Sequence, residues 1–442
     1  MKIWSSKFLV SLAVVMVVIV LSACRRAEAP VESSEPDAEG AAQSDVEFQE
    51  APQITVSLVL NSFTPEADQF LEDQIVSWGE QNGVEITFLE GGFGPEQSPD
   101  CGMIGNRFLP ELVLQDRLVE MTELVNRLNQ LEGGFTEGAL AAVNTQGKYW
   151  ALPYASSTYV FYVRQDKLAE HGLPLPDTWE EAHVVAEVIN NPDEFWGWGM
   201  QLGNTGDART SFMAQLWAYG GSIWDEEGKP AIDSQATRDV LDFLRDAWNA
   251  GIVPPEAINW AEDSNNIAYQ NGSVGMVLNA GSILRYLQAN DQALLEKTAV
   301  ILIPQGPAGR FVDGTFSQWG IFKSSQQVPL CFELTEWLLS PEHLRRYYEA
   351  AGGTFLPTYR NLLNDEMWQR PHLQAVAEMI PYTYAIGYPG PTTPWALEAM
   401  DNDFIVRMLQ RVLVEGWDNG RAIAEADEAL WQIYDAWQEQ LE

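Results

Sequence analysis

The stretch from residue 54 to residue 89 constrains the fold more than any other part of this chain. Residues 54–60 alternate and branch like a strand, and 66–80 carry Phe70, Leu71, Ile75 and Trp78 at helical spacing. Residues 84–89 read as a second strand. A strand, a helix and a strand in succession predict parallel neighbours in an α/β layer. From Ile54 to the C-terminus there are 389 residues, more than one ordinary core accommodates, so two domains are expected.

The remaining pattern fits that layer. Residues 91–99 form a Gly- and Pro-rich loop, 109–129 one or two helices, and 149–154 an extended segment ended by Pro153. Helices are expected at 179–190, with Asp177 or Thr178 as N-cap, and at 210–219, 234–250 and 265–271. Strands are expected at 272–278, 299–303 and 320–323, a helix at 329–339, and a helical tail over 395–441.

The N-terminus addresses the chain. Lys2 and Lys7 precede an apolar run, 8–21, too short to span a membrane. Leu21-Ser22-Ala23-Cys24 then resembles a bacterial lipoprotein lipobox, which implies cleavage before Cys24 and lipid on its thiol. Residues 1–23 are read as the signal. Residues 24–52, poor in large apolar residues, are read as the lipidated cysteine and a disordered acidic linker of roughly 30 Å reach. The formal charge is −38, and −40 once the two lysines of the signal are gone. That balance argues against nucleic acid and against lying flat on anionic lipid. Cys101 and Cys331 could pair outside the cell or remain buried thiols, and nothing local in the sequence decides between these.

A resemblance emerges from seven stretches in order. Gly147-Lys148-Tyr149-Trp150-Ala151-Leu152-Pro153-Tyr154, Trp217-Ala218-Tyr219-Gly220-Gly221 and Asp225-Glu226-Glu227-Gly228-Lys229-Pro230 come first. Asn271-Gly272-Ser273-Val274-Gly275-Met276, Ser317-Gln318-Trp319-Gly320-Ile321, Trp337-Leu338-Leu339-Ser340-Pro341-Glu342 and Pro357-Thr358-Tyr359-Arg360 follow. Together they resemble family 1 extracellular solute-binding proteins, the maltose-binding-protein-like sugar-binding lipoproteins that feed ABC importers. The likeness covers residues 53–440 and departs from the family at 60–63, 90–99, Cys101 and 278–282. It implies an α/β, two-lobed periplasmic-binding-protein-like fold (type II), with hinge-linked lobes and a ligand cleft between them. The expected division is 53–155 plus 301–339 for lobe 1 and 156–300 plus 340–442 for lobe 2. The chain would cross near Pro153, Pro304 and Ser340.

Sugars offer apolar faces ringed by hydroxyls, so their pockets need aromatic plates and a polar rim. Among 17 tryptophans and 14 tyrosines, Tyr154, Trp224, Trp260 and Trp319 are the candidate plates. Asp263 (with Asn265 and Asn266), Asn279 and Arg360 are candidates for the rim, and Gly220 for close backbone approach. Each has a plain structural alternative, as core aromatic, helix cap or surface ion pair. Replacing Trp319 by alanine is expected to weaken binding while leaving the fold intact.

Catalytic signatures are missing from the sequence. The four histidines do not fall in metal-binding spacing, Gly272-Ser273-Val274-Gly275 is one residue short of a nucleophile elbow, and no phosphate loop occurs. The expectation is a monomeric non-enzyme without cofactor or metal. It would take a small sugar-like ligand, partner the transmembrane subunits of an ABC permease, and sit on the outer face of a membrane through Cys24. A secreted glycosidase with two carboxylates, or a sugar receptor for a sensor kinase, are the alternatives.

Overall fold

A computed structural model describes residues 51–59, 64–89, 99–105, 108–192 and 194–441. The signal, Cys24, the linker up to Glu50, residues 60–63 and all but Pro99 of the 91–99 loop lie outside the described residues.

Two sheets organise the chain. The first has five strands in the order Glu85–Leu89, Gln53–Ser57, Cys101–Ile104, Thr315–Ile321, Leu152–Ser157. Its first three are parallel, as the opening pattern predicts, and Thr315–Ile321 runs antiparallel to both neighbours. The parallel pair is joined by helix Pro65–Asn82, which starts on proline and ends on Gly83 at φ +67. Ala67, Leu71, Ile75 and Trp78 form its buried face.

The second sheet has four strands in the order Thr298–Ile301, Val160–Arg164, Val274–Asn279, Trp196–Trp198. Its two central strands are buried at every residue, which explains their continuous apolar runs. Helix Trp179–Ile189 enters through a capping box made by Thr178 and Glu181, and Ser234 caps Gln235–Asn249. The tail forms three helices, Pro394–Asp401, Phe404–Leu413 and Asn419–Leu441. The last two pack on Gly206–Ala218 and Gln235–Asn249, beside the second sheet.

All three expected crossings are displaced. Pro153 lies within the edge strand Leu152–Ser157, where a residue without an N–H is tolerated, and the chain leaves the first sheet at Thr158 and Tyr159. Pro304 stays with the second lobe, because Gln305 exchanges backbone bonds with Asp177 and Trp179, and Ala308 bonds Ala218. The chain returns through the short strand Val312–Asp313 and re-enters the first sheet at Thr315. Ser340 is no crossing either. Helix Pro341–Ala350 packs on Pro65–Asn82, Leu356 exchanges backbone bonds with Ser156, and Arg345 pairs with Glu132 and Asp365. Residues 341–365 therefore belong with the first lobe, and 302–313 with the second.

Among the described residues, no helix is long and apolar enough to cross a membrane.

Candidate functional site

The passages between sheets meet in one place. Thr315 pairs with Ser157, and Gly314 lies between Ser157 and Thr383. A Cβ at Gly314 would fall 2.7 Å from the Ser157 carbonyl and 2.2 Å from a Thr383 methyl, so only glycine fits. The Thr158 and Thr383 hydroxyls bond at 2.6 Å, and Val312–Asp313 pairs in parallel with Thr383–Tyr384. The floor of the crossing is thus fixed by three segments distant in sequence.

A polar cluster rises from that floor. Helix Gly206–Ala218 starts at Thr205, whose hydroxyl accepts from the Ala208 N–H, and this sets Asp207 in the first turn. Tyr159, in the first passage, donates its hydroxyl to Asp207 Oδ1 at 3.1 Å. Asn265 and Asn279 each donate Nδ2 to Asp207 Oδ2 at 2.8 Å. Asn279 also donates to Asn266 Oδ1 at 2.5 Å, and Ser282 closes the ring by donating to Asn279 Oδ1 at 2.9 Å. One turn along the helix, Thr210 donates to Asp313 Oδ2 at 3.0 Å. The other oxygen, Asp313 Oδ1, is enclosed and has no donor.

Burial governs the ionisation of both acids. Loss of hydration pushes the Asp207 carboxyl up to about 6, opposed by the bonds from Asn265 and Tyr159. The same cause pushes Asp313 up to about 6, opposed first by the Thr210 bond.

Aromatic rings stand beside the acids. Tyr384 and Tyr388 are 4.2 Å apart at 38°, and Phe311 lies 5.6 Å from Tyr384 and 5.8 Å from Tyr388. Trp217 meets Tyr388 edge-on at 5.3 Å. Trp217 is buried, whereas Phe311, Tyr384 and Tyr388 are half-buried. Helix Gly206–Ala218 carries both Asp207 and Trp217 and packs on Val312–Asp313, which brings acids and rings to one locality.

Of the residues singled out from sequence, Asn279 joins this cluster. Asp263 stands just before helix Ser264–Gln270, exposed and outside the bonds of the cluster, while its neighbours Asn265 and Asn266 are inside it. Trp319 and Tyr154 are core residues of the first lobe, 0 % and 1 % exposed and 6.1 Å apart. Tyr347 of helix Pro341–Ala350 covers Tyr154 at 4.8 Å, so neither ring has a face to offer a solute in this conformation. Trp224 is likewise buried, bridged to Pro230. Gly220, at φ +82, follows helix Gly206–Ala218 and turns the chain there. Arg360 is exposed and donates to the Gly133 carbonyl at 3.2 Å. Trp260 is half-buried and, with Trp196, lines a separate cavity of about 390 Å³ reaching the Val274 end of the second sheet.

Tyr159, Asp207, Thr210, Asp313, Phe311, Tyr384 and Tyr388 were not distinguished by the sequence. Asp207 falls just before the helix expected at 210–219, and Asp313 is one acid among 63 Asp and Glu residues. Among the described residues no group of three His, Cys, Asp or Glu could hold a metal ion. Carboxylates that accept, hydroxyls and amides that do both, and half-buried aromatic rings together suit a ligand rich in hydroxyls and C–H surface.

Comparison with known proteins agrees in family and fold. The family model for bacterial extracellular solute-binding proteins matches residues 94–375. A putative binding protein of Brucella abortus is 24% identical over 261 residues, which cover 58% of this chain and 62% of that relative, less than two thirds of its length. The sugar-binding protein MalE of Xanthomonas citri superposes with a TM-score of 0.72 at 19% identity, covering 88% of this chain and all of that one. Maltose-bound MalE3 of Thermotoga maritima superposes at 0.69 with 21% identity, covering 87% of this chain and all of that one. At these identities the superpositions speak to the fold, which is two-lobed. The chain belongs to the bacterial extracellular solute-binding proteins.

Proposed function

We propose that this protein is the substrate-binding component of an ABC importer, tethered outside the cell through Cys24. It captures a small neutral polyhydroxylated solute, a sugar or oligosaccharide, in the cleft above the crossing and delivers it unchanged to the permease. The observation that carries this reading is the meeting of two carboxylates, Asp207 buried and Asp313 half-buried with one oxygen enclosed, with half-buried aromatic rings where the chain passes between lobes. Asp313 Oδ1 is enclosed and lacks a donor, and a sugar hydroxyl supplies one. Phe311, Tyr384 and Tyr388 offer faces for the C–H surface of a pyranose. Because both lobes border the crossing, a ligand seated there favours the closed form, and the permease reads that closure. The fold shared with maltose-bound MalE3 supports the solute class.

The test is a thermal-shift screen of residues 45–442 against mono- and oligosaccharides, with polyamines, oligopeptides and glycerol phosphates as contrasts. A rise in melting temperature with one sugar class, and recovery of that sugar unchanged, is expected. A rise with a charged solute alone would overturn the sugar assignment. Product formation from a glycoside would favour a glycosidase.

A further inference from the structure

Cys101 and Cys331 are separated by roughly 230 residues, yet the fold brings them together. Cys101 opens the central strand Cys101–Ile104 and pairs with Val56 on one side and Ile321 on the other. Cys331 lies in the first turn of helix Val328–Leu338, which packs on strand Thr315–Ile321. Both are wholly enclosed in one hydrophobic core, near enough that Cys331 adds to the upward shift of the Cys101 thiol, and both are unbonded thiols here. Thr335 bonds the Cys331 carbonyl at 2.5 Å, which holds that turn of helix in place.

We propose that in the exported protein Cys101 and Cys331 are joined as a disulfide that staples the first lobe. The pairing rests on the core geometry, and its formation rests on the extracellular reading above. The oxidant is a disulfide of a protein or small thiol. One cysteine thiolate attacks a sulfur of that oxidant, breaks its S–S bond and expels one thiolate. The second cysteine then attacks the mixed disulfide and expels the other. Two electrons pass to the oxidant, and the two cysteine protons end on its thiols.

Burial pushes the Cys101 thiol well up, with Cys331 beside it adding to the effect, so within the folded core it is a poor nucleophile. The bond therefore forms before the core closes. Once made, it fastens a strand from the N-terminal third of the chain to a helix that returns late. Both elements are in the first lobe, so the bond leaves the hinge free.

The test is peptide mapping of the full chain, exported and alkylated under denaturing conditions without reductant. A Cys101–Cys331 linked peptide is expected. Two alkylated thiols at these positions, or either one linked to Cys24, would overturn the proposal. Protein refolded with oxidised glutathione separates geometry from location. A link formed there but missing after export counts against the extracellular reading, and a link missing from both overturns the pair itself. Reductant should lower the melting temperature of the native protein by at least ~5 °C and leave the Cys101→Ala/Cys331→Ala variant unmoved. The single variants should each lose as much as the double, a non-additivity that packing alone does not give. Losses that simply add would contradict the bond.

Discussion

Two aromatic groupings invite comparison. In the first lobe Trp319, Tyr154 and Tyr347 sit in the core with no open face. At the crossing Phe311, Tyr384 and Tyr388 use the same kinds of ring beside two carboxylates and are only half-buried. The difference lies in what covers the rings. Helix Pro341–Ala350 remains with the first lobe and closes over Tyr154 through Tyr347, whereas helix Gly206–Ala218, which packs on Val312–Asp313, meets Tyr384 and Tyr388 only edge-on through Trp217. Ring content therefore marks sites poorly, and topology decides which rings are available.

Four changes would break or sharpen that contrast. The largest effect is expected from Trp319→Ala, which empties a fully packed volume and should cost about 3–5 kcal/mol of stability. Denaturant unfolding would show it, and affinity measured where the variant is still folded should be unchanged. A stable Trp319→Ala protein with weakened binding would restore the plate reading of the sequence. Tyr384→Ala should do the reverse, weakening sugar affinity by ~10-fold or more while costing about 1–2 kcal/mol in stability. Titration calorimetry beside an unfolding curve separates the two effects.

The third prediction concerns pH. Asp207 and Asp313 have carboxyls raised to about 6 from an ordinary 3.8. Between those values the folded chain keeps protons that the unfolded chain has released. Stability from these groups is therefore present at low pH and declines as pH rises through that window. Ligand hydroxyls donate best to ionised carboxylates, so affinity should move the other way, tightening as pH rises through about 6. Melting curves and affinities from pH 5 to 7.5 check both slopes, and an affinity flat across that range would detach the acids from the ligand. The smallest effect is expected from Arg360→Ala. An exposed side chain holding one backbone carbonyl should matter by no more than about 0.5 kcal/mol to stability, and by nothing measurable to binding.

Much of the fold was legible along the chain. Thr178, one of the two expected candidates, caps its helix, the opening strand–helix–strand is parallel, and the helices at 206–218, 235–249 and 328–338 fall within a few residues of their periodicity. The crossings were less so, because nothing in the sequence of helix Pro341–Ala350 says which sheet it joins, and only packing shows that it stays with the first lobe beside Val328–Leu338. The site was least legible. Tyr159 meets Asp207 across 48 residues and Thr210 meets Asp313 across 103, contacts that no local spacing announces. Asn279 could be picked out because it ends a strand pointing at the crossing. Tyr384 ends a two-residue strand and Tyr388 follows it in an irregular segment, both too short to carry a periodicity that would mark them.

The most direct test of the account is a calorimetric titration of neutral sugars into residues 45–442, wild type beside Asp313→Asn. Saturable binding of one sugar class by the wild type is expected, with an affinity loss of ~10-fold or more in the variant, whose fold remains intact. Equal affinity for the two proteins, or no sugar bound while a charged solute is, would contradict it.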